Sequence, residues 1–120
     1  MLHRILVVDD DLDIRESMAD ALSDDGYDVC VAANGREALD IMHACAPCVV
    51  ILDLMMPVMD GWQVAARMEG DPALAAIPLC VVSAWPDRAP ERCACVLGKP
   101  VSLRDLVRAV RNHCAPATHA

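Results

Sequence analysis

Short apolar runs recur along this chain, and each ends beside a residue that can bind a metal ion or a phosphoryl group. The four runs occupy residues 5–8, 49–52, 79–82 and 95–98. The polar residues that follow them are Asp9 with Asp10, then Asp53, Ser83 and Lys99. Apolar runs of this length are typical of buried strands. If they are parallel strands of one sheet, their carboxyl ends meet at the edge where open α/β sheets hold ligands.

Amphipathic segments alternate with the apolar runs, which indicates an α/β fold with a parallel sheet. A weaker strand is predicted over residues 27–31. Asn34 with Glu37, and Ser102 with Asp105, have the spacing of a capping box. Together with the apolar spacing, these signals predict helices from about residue 14 to a stop at 24–26, from Asn34 to about Cys45, over 62–69, and onward from Ser102.

The segment over residues 85–92 lies where a further crossover helix is expected, but Pro86 and Pro90 interrupt it. Proline is tolerated in the first turn of a helix and costs about 3 kcal/mol in its interior. We therefore expect a short helical turn here, or only a loop. No repeat or interdomain linker is present, so residues 1–114 are expected to form one domain and residues 115–120 a C-terminal tail.

The net charge of −8 argues against nucleic acid as a direct partner, because an acidic surface repels phosphate backbones. The same charge favours cationic partners, including metal ions. No apolar stretch reaches the roughly 18 residues of a membrane span, and the first stretch is too short for a signal peptide. We therefore expect a cytoplasmic protein without a membrane partner, in which all seven cysteines are reduced.

Asp9, Asp10 and Asp53 would repel one another strongly at a single sheet edge, and Mg²⁺ is the natural remedy. With the metal bound, one carboxylate can attack phosphorus and form an acyl phosphate. Ser83 and Lys99 suit the neutralisation of the transferred group. A lone aspartate at a strand end is usually a turn or a helix cap. Caps alone do not readily explain five polar residues at four strand ends.

Cys45 and Cys48 have the spacing of a redox or zinc motif, although a single CxxC is weak evidence. The simpler interpretation is that the cysteines, including Cys30, Cys80 and Cys114, are small core residues. The histidines show no metal-like grouping along the chain and are assigned to the surface; they are His3, His43, His113 and His119.

The ordered set of motifs resembles the receiver domain of two-component response regulators over the full chain length. The matching blocks are residues 5–10, the run Asp-Leu-Met-Met-Pro-Val-Met-Asp-Gly over 53–61, Ser83-Ala84, and Lys99-Pro100. The resemblance implies a doubly wound, flavodoxin-like parallel sheet of five strands in the order 2-1-3-4-5. The interrupted segment implies that the fourth helix of this family is shortened or lost.

The resemblance also assigns roles to the metal-binding side of the site. Asp53 is similar to the phosphoacceptor of the family, and Asp10 to a direct Mg²⁺ ligand. Asp9 matches the partner acid, which binds the ion directly or through water. The backbone carbonyl of Met55, two residues after the acceptor, matches the third protein ligand.

On the other side of the site, Ser83 resembles the switch hydroxyl that moves onto a phosphoryl oxygen. Lys99 resembles the lysine that pairs with the phosphate, and the Lys99–Pro100 peptide bond is expected to be cis, as in the family.

The chain departs from the family pattern near its fifth strand. Val96 occupies the position where the family usually carries a switch aromatic residue, and Trp85 is the only large aromatic nearby. We hypothesise that Trp85 or the remodelled loop replaces that aromatic, and that the usual dimer face differs. Met55 and Trp85 would also restrict the water that hydrolyses the acyl phosphate, which predicts a long-lived phosphoryl group.

The resulting interpretation is a phosphorelay switch that accepts phosphate from a sensor histidine kinase or a histidine phosphotransfer protein and acts on an unidentified protein target. It assists its own phosphorylation and dephosphorylation but is not an enzyme in the ordinary sense. It is expected to be a stand-alone relay or adaptor, a phosphate sink, or a fragment of a longer protein. One alternative is an interaction module that binds its partner regardless of phosphate. Another is a thiol-based redox sensor that uses Cys45 and Cys48.

Overall fold

A computed structural model describes residues 3–114 of the chain. Strands and helices alternate along this part, as the sequence pattern predicts. The elements are β1 (Arg4–Val8), α1 (Leu12–Asp24), β2 (Asp28–Ala32), α2 (Gly35–Cys45), β3 (Val49–Leu52), α3 (Gly61–Glu69), β4 (Leu79–Ser83), β5 (Cys95–Gly98) and α4 (Leu103–His113). The proposed tail over residues 115–120 lies outside the described residues, so that boundary stays a prediction.

The five strands form one sheet in the order β2-β1-β3-β4-β5, and all neighbouring pairs are parallel. This confirms the doubly wound, flavodoxin-like sheet. Val8 of β1 lies opposite Leu52 of β3, and Ser83 of β4 lies opposite Gly98 of β5. The polar residues that follow β1, β3 and β5 therefore emerge together with Ser83 at one edge of the sheet.

Helices cover both faces of the sheet, which explains why its inner strands are continuous apolar runs. Alternate residues of β1 point to opposite faces: Ile5 and Val7 pack with α1 and α4, whereas Leu6 and Val8 pack with α2 and α3. Aliphatic, Met, Ala and Cys side chains fill both layers, with Tyr27 as the buried aromatic side chain among the described residues. Within the same residues, no helix is long and apolar enough to cross a membrane.

Side-chain caps fix where the helices begin. Asn34 accepts a hydrogen bond from the Glu37 N–H and caps α2, as its spacing predicts. The Glu37 carboxylate, however, accepts from the Ala33 N–H rather than from the N–H of Asn34, so the reciprocal half of the capping box is absent here. A complete capping box joins Asp60 and Gln63 at the start of α3, where the sequence analysis identified none.

The segment between β4 and β5 contains a single 3-10 turn, Pro86–Arg88, instead of an α-helix. Proline stands at the first position of this turn, where its missing N–H is tolerated. Farther along, the guanidinium of Arg92 donates to the backbone carbonyls of Ala75 and Ile77 and fastens the segment to the loop before β4. The prediction that the fourth helix of the family is shortened or lost is therefore confirmed.

The cysteines differ from the prediction that all are reduced. Cys48 and Cys114 form a disulfide, with their Cα atoms 5.7 Å apart. Cys45 and Cys48 therefore do not act together as a CxxC motif. Cys45 instead lies beside Cys30, with the two sulfurs 3.7 Å apart. The reason is topological: Cys48 directly precedes β3 and packs on the face that α4 covers, and Cys114 is the C-cap of α4. Cys80 is buried as a core residue, as expected.

Candidate functional site

The backbone ladder of the sheet continues one residue past three of its strands and thereby fixes the polar side chains. The Asp53 N–H donates to the Val8 carbonyl at 3.0 Å. The Lys99 N–H donates to the Ser83 carbonyl at 2.9 Å, and the Asp9 N–H donates to the carbonyl at the end of β2. These residues therefore leave the sheet at fixed positions. Because all three follow parallel strands, they lie at one edge, as the sequence pattern predicts.

Three carboxylates converge at this edge. One carboxylate oxygen from each of Asp9, Asp10 and Asp53 lies within 4.8 Å of the other two. Asp9 is fully buried and Asp53 is only 5% exposed, whereas Asp10 faces solvent. Burial, followed by the charge of Asp9, raises the pKa of Asp53 from its ordinary value of 3.8 to about 6. Burial and the neighbouring carboxylate therefore both disfavour the ionised form of Asp53.

Lys99 supplies the cation that opposes this repulsion. Its Nζ lies 2.9 Å from Oδ2 of Asp9 and 3.5 Å from Oδ2 of Asp53. Burial lowers the pKa of Lys99, but the hydrogen bond to Asp9 and the charge of Asp53 outweigh that effect and leave the pKa raised. A single ammonium faces three carboxylates, so the site keeps a net negative charge that suits a further cation.

Two neighbours of the carboxylate cluster were missed by the sequence analysis. The Asp11 N–H donates to Oδ1 of Asp9 at 2.9 Å, while the Asp11 side chain caps α1. The guanidinium of Arg15 donates to the backbone carbonyl of Asp9 at 2.9 Å. Asp11 carries a usable signal, because it directly precedes an amphipathic helix. The contact of Arg15 depends on the path of the β1–α1 turn, which the sequence does not show.

Ser83 is fully buried beside this cluster at the end of β4. Its Oγ accepts a hydrogen bond from the Trp85 N–H at 3.0 Å, so the hydroxyl keeps its own proton for another acceptor. The Trp85 ring is 51% exposed and lies beneath the guanidinium of Arg88, which is 5.3 Å from the ring centroid. Val96, at the position of the expected aromatic, is exposed on β5, with 37% of its surface accessible.

The loop from β3 to α3 crosses the site at close range. A Cβ at Gly61 would lie 2.5 Å from the backbone oxygen of Asp53, so this approach of α3 to the loop requires glycine. The Gly61 N–H also donates to the Leu54 carbonyl. Met55 and Val58 project from the loop into solvent, and Val58 adopts a positive φ of 69°. The peptide bond between Lys99 and Pro100 is cis, as expected.

The donor set of this edge fits Mg²⁺. All three candidate ligands are hard carboxylate oxygens, which this ion prefers, and the exposed Asp10 leaves room for water. The raised pKa of Asp53 reflects burial first and then the charge of Asp9, and a bound cation would oppose both effects. The residues predicted as catalytic or metal-binding side chains are thus gathered at one small site.

A flavodoxin-like sheet with this acidic edge, a buried hydroxyl and a lysine defines the receiver-domain class. The sequence matches the response regulator receiver domain family over residues 5–111, and the chain belongs to that family. It is 41% identical over 117 residues to response regulator MprA of Mycolicibacterium vanbaalenii, covering 90% of this chain and 48% of the relative. It is 39% identical over 118 residues to MprA of Mycobacterium tuberculosis, covering 92% of this chain and 50% of that relative. The chain thus spans about half the length of these relatives.

Solved structures support the same assignment. Chemotaxis response regulator CheY4 of Vibrio cholerae superimposes with a TM-score of 0.82 and 28% identity, covering 93% of this chain and 98% of that one. A response regulator receiver domain from Clostridium thermocellum superimposes with a TM-score of 0.84 and 28% identity, covering 93% of this chain and 94% of that one. Members of this family are signalling switches that interact with histidine kinases or phosphotransfer proteins and generally bind Mg²⁺ in the acidic pocket.

Proposed function

We propose that this chain accepts a phosphoryl group on Asp53 from a phosphohistidine of a sensor histidine kinase or a histidine phosphotransfer protein. The observation that carries the proposal is the buried Asp9–Asp53 pair, joined by Lys99 and flanked by the exposed carboxylate of Asp10. Asp9, Asp10 and Asp53 would hold Mg²⁺, together with the backbone carbonyl of Met55 on the adjoining loop.

In the proposed reaction, a carboxylate oxygen of Asp53 attacks phosphorus while the phosphorus–nitrogen bond to the donor imidazole breaks; the other ring nitrogen of that imidazole is protonated, so the leaving group is neutral. The products are an acyl phosphate and a neutral histidine. Bound Mg²⁺ supplies charge neutralisation for the phosphoryl oxygens. Lys99, already 3.5 Å from Asp53, pairs with the added negative charge. Asp9 is held in place by a hydrogen bond from the Asp11 N–H to its Oδ1 at 2.9 Å.

The phosphoryl group carries about −1.5 to −2 charges in place of the single carboxylate charge of Asp53, and it brings three strong acceptors beside Ser83. We infer that the Ser83 hydroxyl donates a hydrogen bond to one of these oxygens. Because the same Oγ accepts the Trp85 N–H, a movement of Ser83 is transmitted to the start of the β4–β5 segment. This is how the charge change at the sheet edge would reach the surface.

Acetyl phosphate with Mg²⁺ tests the chemistry without an identified kinase. Intact-protein mass spectrometry should show one added phosphoryl group on the wild type and none on Asp53→Asn or in EDTA. Asp60→Asn is the matched control, because Asp60 lies in the same connection and asparagine also caps a helix. Labelling of Asp53→Asn equal to that of the wild type would refute the assignment.

The alternative function is an interaction module that binds its partner independently of phosphate. The loss of the helix between β4 and β5, together with Val96 in place of the aromatic, favours it. Hydrogen exchange in the presence of Mg²⁺ and beryllofluoride separates the two functions. A switch changes the exchange of residues 84–98 in the wild type but not in Asp53→Asn, whereas a constitutive module leaves them unchanged.

The remaining assignments follow from the same proposal. Phosphoryl donors of this kind draw on ATP, so we place the protein in the cytoplasm. Its downstream target is a protein, and the net charge of −8 argues against direct nucleic-acid binding. The domain modifies only itself and turns over no external substrate. Its proposed extent remains residues 1–114.

A further inference from the structure

A second group of metal-binding side chains lies at the amino end of the sheet, away from the acidic edge. It consists of His3, Cys48 and Cys114, whose ligand atoms all lie within 4.8 Å of one another. His3 precedes β1 and Cys48 precedes β3, while Cys114 follows α4, which runs antiparallel to the strands. Residues far apart in the sequence thus converge, and His3 belongs to a metal-like group that its sequence position did not indicate.

The backbone of each member is held by the fold. The His3 carbonyl accepts a hydrogen bond from the Asp28 N–H at 3.0 Å, and the Cys48 N–H donates to the Arg4 carbonyl at 2.8 Å. The Cys114 N–H donates to the last turn of α4 at 2.8 Å. Cys114 is buried, whereas His3 and Cys48 are partly exposed. The cluster is therefore built into the fold and can be reached from solvent.

We propose that His3, Cys48 and Cys114 form a redox-gated zinc site, which the disulfide closes and its reduction opens. Two thiolates and an imidazole are the ligands that Zn²⁺ prefers, and water would complete a tetrahedral set. Sulfurs joined in the disulfide have no thiolate charge to offer a metal. The same two atoms therefore serve either as a covalent link or as metal ligands, but never as both.

The exchange between the two forms balances with a thiol reductant of the glutathione or dithiol-protein class. Two reductant thiols transfer two electrons and two protons to the bond between Cys48 and Cys114. The products are two cysteine thiols and the disulfide of the reductant. Binding of Zn²⁺ then displaces one proton from each thiol. In a reducing compartment the metal form is favoured, and oxidation expels the ion.

The chemistry of the two ends of the sheet separates the metals they select. The carboxylate edge offers only hard oxygen atoms, whereas the cluster at the amino end offers sulfur and nitrogen. Cys114 of the second cluster is also the C-cap of α4, so it lies at the negative end of the helix dipole. This inference does not depend on phosphorylation of Asp53. In the oxidised form the disulfide links the end of α4 to the start of β3, and in the proposed metal-bound form the ion links the same two cysteines.

Co²⁺ is the probe for this site, because sulfur ligation produces a thiolate-to-cobalt absorption band that oxygen ligands at the acidic edge cannot produce. The full chain is titrated with Co²⁺ after reduction with a phosphine and, in parallel, in its disulfide form. We expect a band that saturates at one equivalent in the reduced protein, disappears when Zn²⁺ is added, and is absent from the oxidised protein. No band after reduction, or equal bands in both forms, would overturn the proposal.

Variants locate the ligands. Loss of a group outside the coordination sphere already lowers metal affinity by about 10- to 100-fold, so Cys114→Ser should lose at least about 100-fold and His3→Ala at least about tenfold. Cys45→Ser is the matched control, since Cys45 contacts Cys30 rather than this cluster. Asp53→Asn should retain the band. A band retained in both Cys114→Ser and His3→Ala, or lost in Cys45→Ser, would reject the assigned ligands. His3→Ala keeps the test valid if Cys114→Ser fails to fold.

Discussion

The fold opposes the ionisation of Asp53. Its pKa of about 6 lies above the ordinary 3.8, so the folded protein binds this proton more tightly than the unfolded chain does. For a carboxyl group shifted in this direction, the free energy of unfolding falls as pH rises from about 4 to about 6. The loss is on the order of 3 kcal/mol. This is the energetic cost of holding an ionised nucleophile beside the buried Asp9.

We therefore expect Asp53→Asn to be more stable than the wild type at pH 7.5 in EDTA, because asparagine places no charge in this buried site and does not repel Asp9. The difference should shrink as pH falls from about 6 to about 4, because the folded wild-type carboxyl becomes protonated and neutral over this range, and Mg²⁺ should stabilise the wild type selectively. Urea unfolding across this pH range measures the effect. Asp60→Asn serves as control, and a stability gain that did not vary with pH would contradict the electrostatic explanation.

Met55 concerns the lifetime of the acyl phosphate. Its side chain is 57% exposed on the loop after Asp53 and has no group that can orient water. A side chain that donates one hydrogen bond to an attacking water supplies about 1 kcal/mol or slightly more, which corresponds to roughly tenfold in rate. We expect Met55→Asn to shorten the lifetime of the phosphorylated protein by about that factor.

Phosphate-affinity gels sampled over time measure this decay. Val58→Asn is the matched control, because Val58 is an exposed apolar residue of the same loop and its positive φ suits asparagine. Equal decay in the wild type and in Met55→Asn, or equal acceleration by Val58→Asn, would show that Met55 does not shield the phosphoryl group.

At the scale of elements, the segment between β4 and β5 connects the site to α3 through a short chain of contacts. The Trp85 N–H binds Oγ of Ser83, the Arg88 guanidinium lies over the Trp85 ring, and Nε1 of Trp62 donates to the Arg88 carbonyl at 2.8 Å. A shift of Ser83 toward a phosphoryl oxygen therefore acts first on Trp85. This supports the hypothesis that Trp85 replaces the aromatic absent at Val96.

The chain has only two tryptophans, so fluorescence can follow each separately. In Trp62→Phe, which leaves Trp85 as the sole tryptophan, we expect beryllofluoride with Mg²⁺ to change emission intensity or wavelength, and Asp53→Asn in this background to abolish the change. Trp85→Phe should show a smaller response. An unchanged spectrum despite beryllofluoride bound at Asp53, measured by ¹⁹F NMR, would make Trp85 a static cover.

The sequence predicts elements well where one local signal suffices. The apolar runs place β3 and β5 correctly, and Pro86 and Pro90 account for the missing helix. The caps show the limit of such reasoning, because Asp60 and Gln63 form a full capping box that the sequence pattern did not reveal, since Asp60 lies in a turn-rich loop. At the site, the strand-end residues were predictable because strand ends meet at one edge, whereas Arg15 was not, because its contact depends on the path of a turn.

For the whole molecule, the sheet order followed from the family resemblance rather than from residue patterns, and the disulfide did not follow from either. The expected cytoplasmic location predicted reduced cysteines, and the CxxC spacing suggested Cys45 and Cys48 as the pair. The true partner of Cys48 lies 66 residues away and is brought close only when α4 packs on the sheet. Pairings at such distances are properties of the assembled fold.

The disulfide should therefore stabilise the whole domain. Closing a loop of 66 residues removes unfolded-state entropy worth about 4 kcal/mol on a chain-entropy basis. In metal-free buffer, we expect a reductant to lower the free energy of unfolding of the wild type by about that amount, as measured by urea unfolding. Cys114→Ser should already have the lower value and should not respond to the reductant. Cys45→Ser should respond like the wild type, because Cys45 lies outside the bond, and a wild type indifferent to the reductant would show that the link does not form in solution.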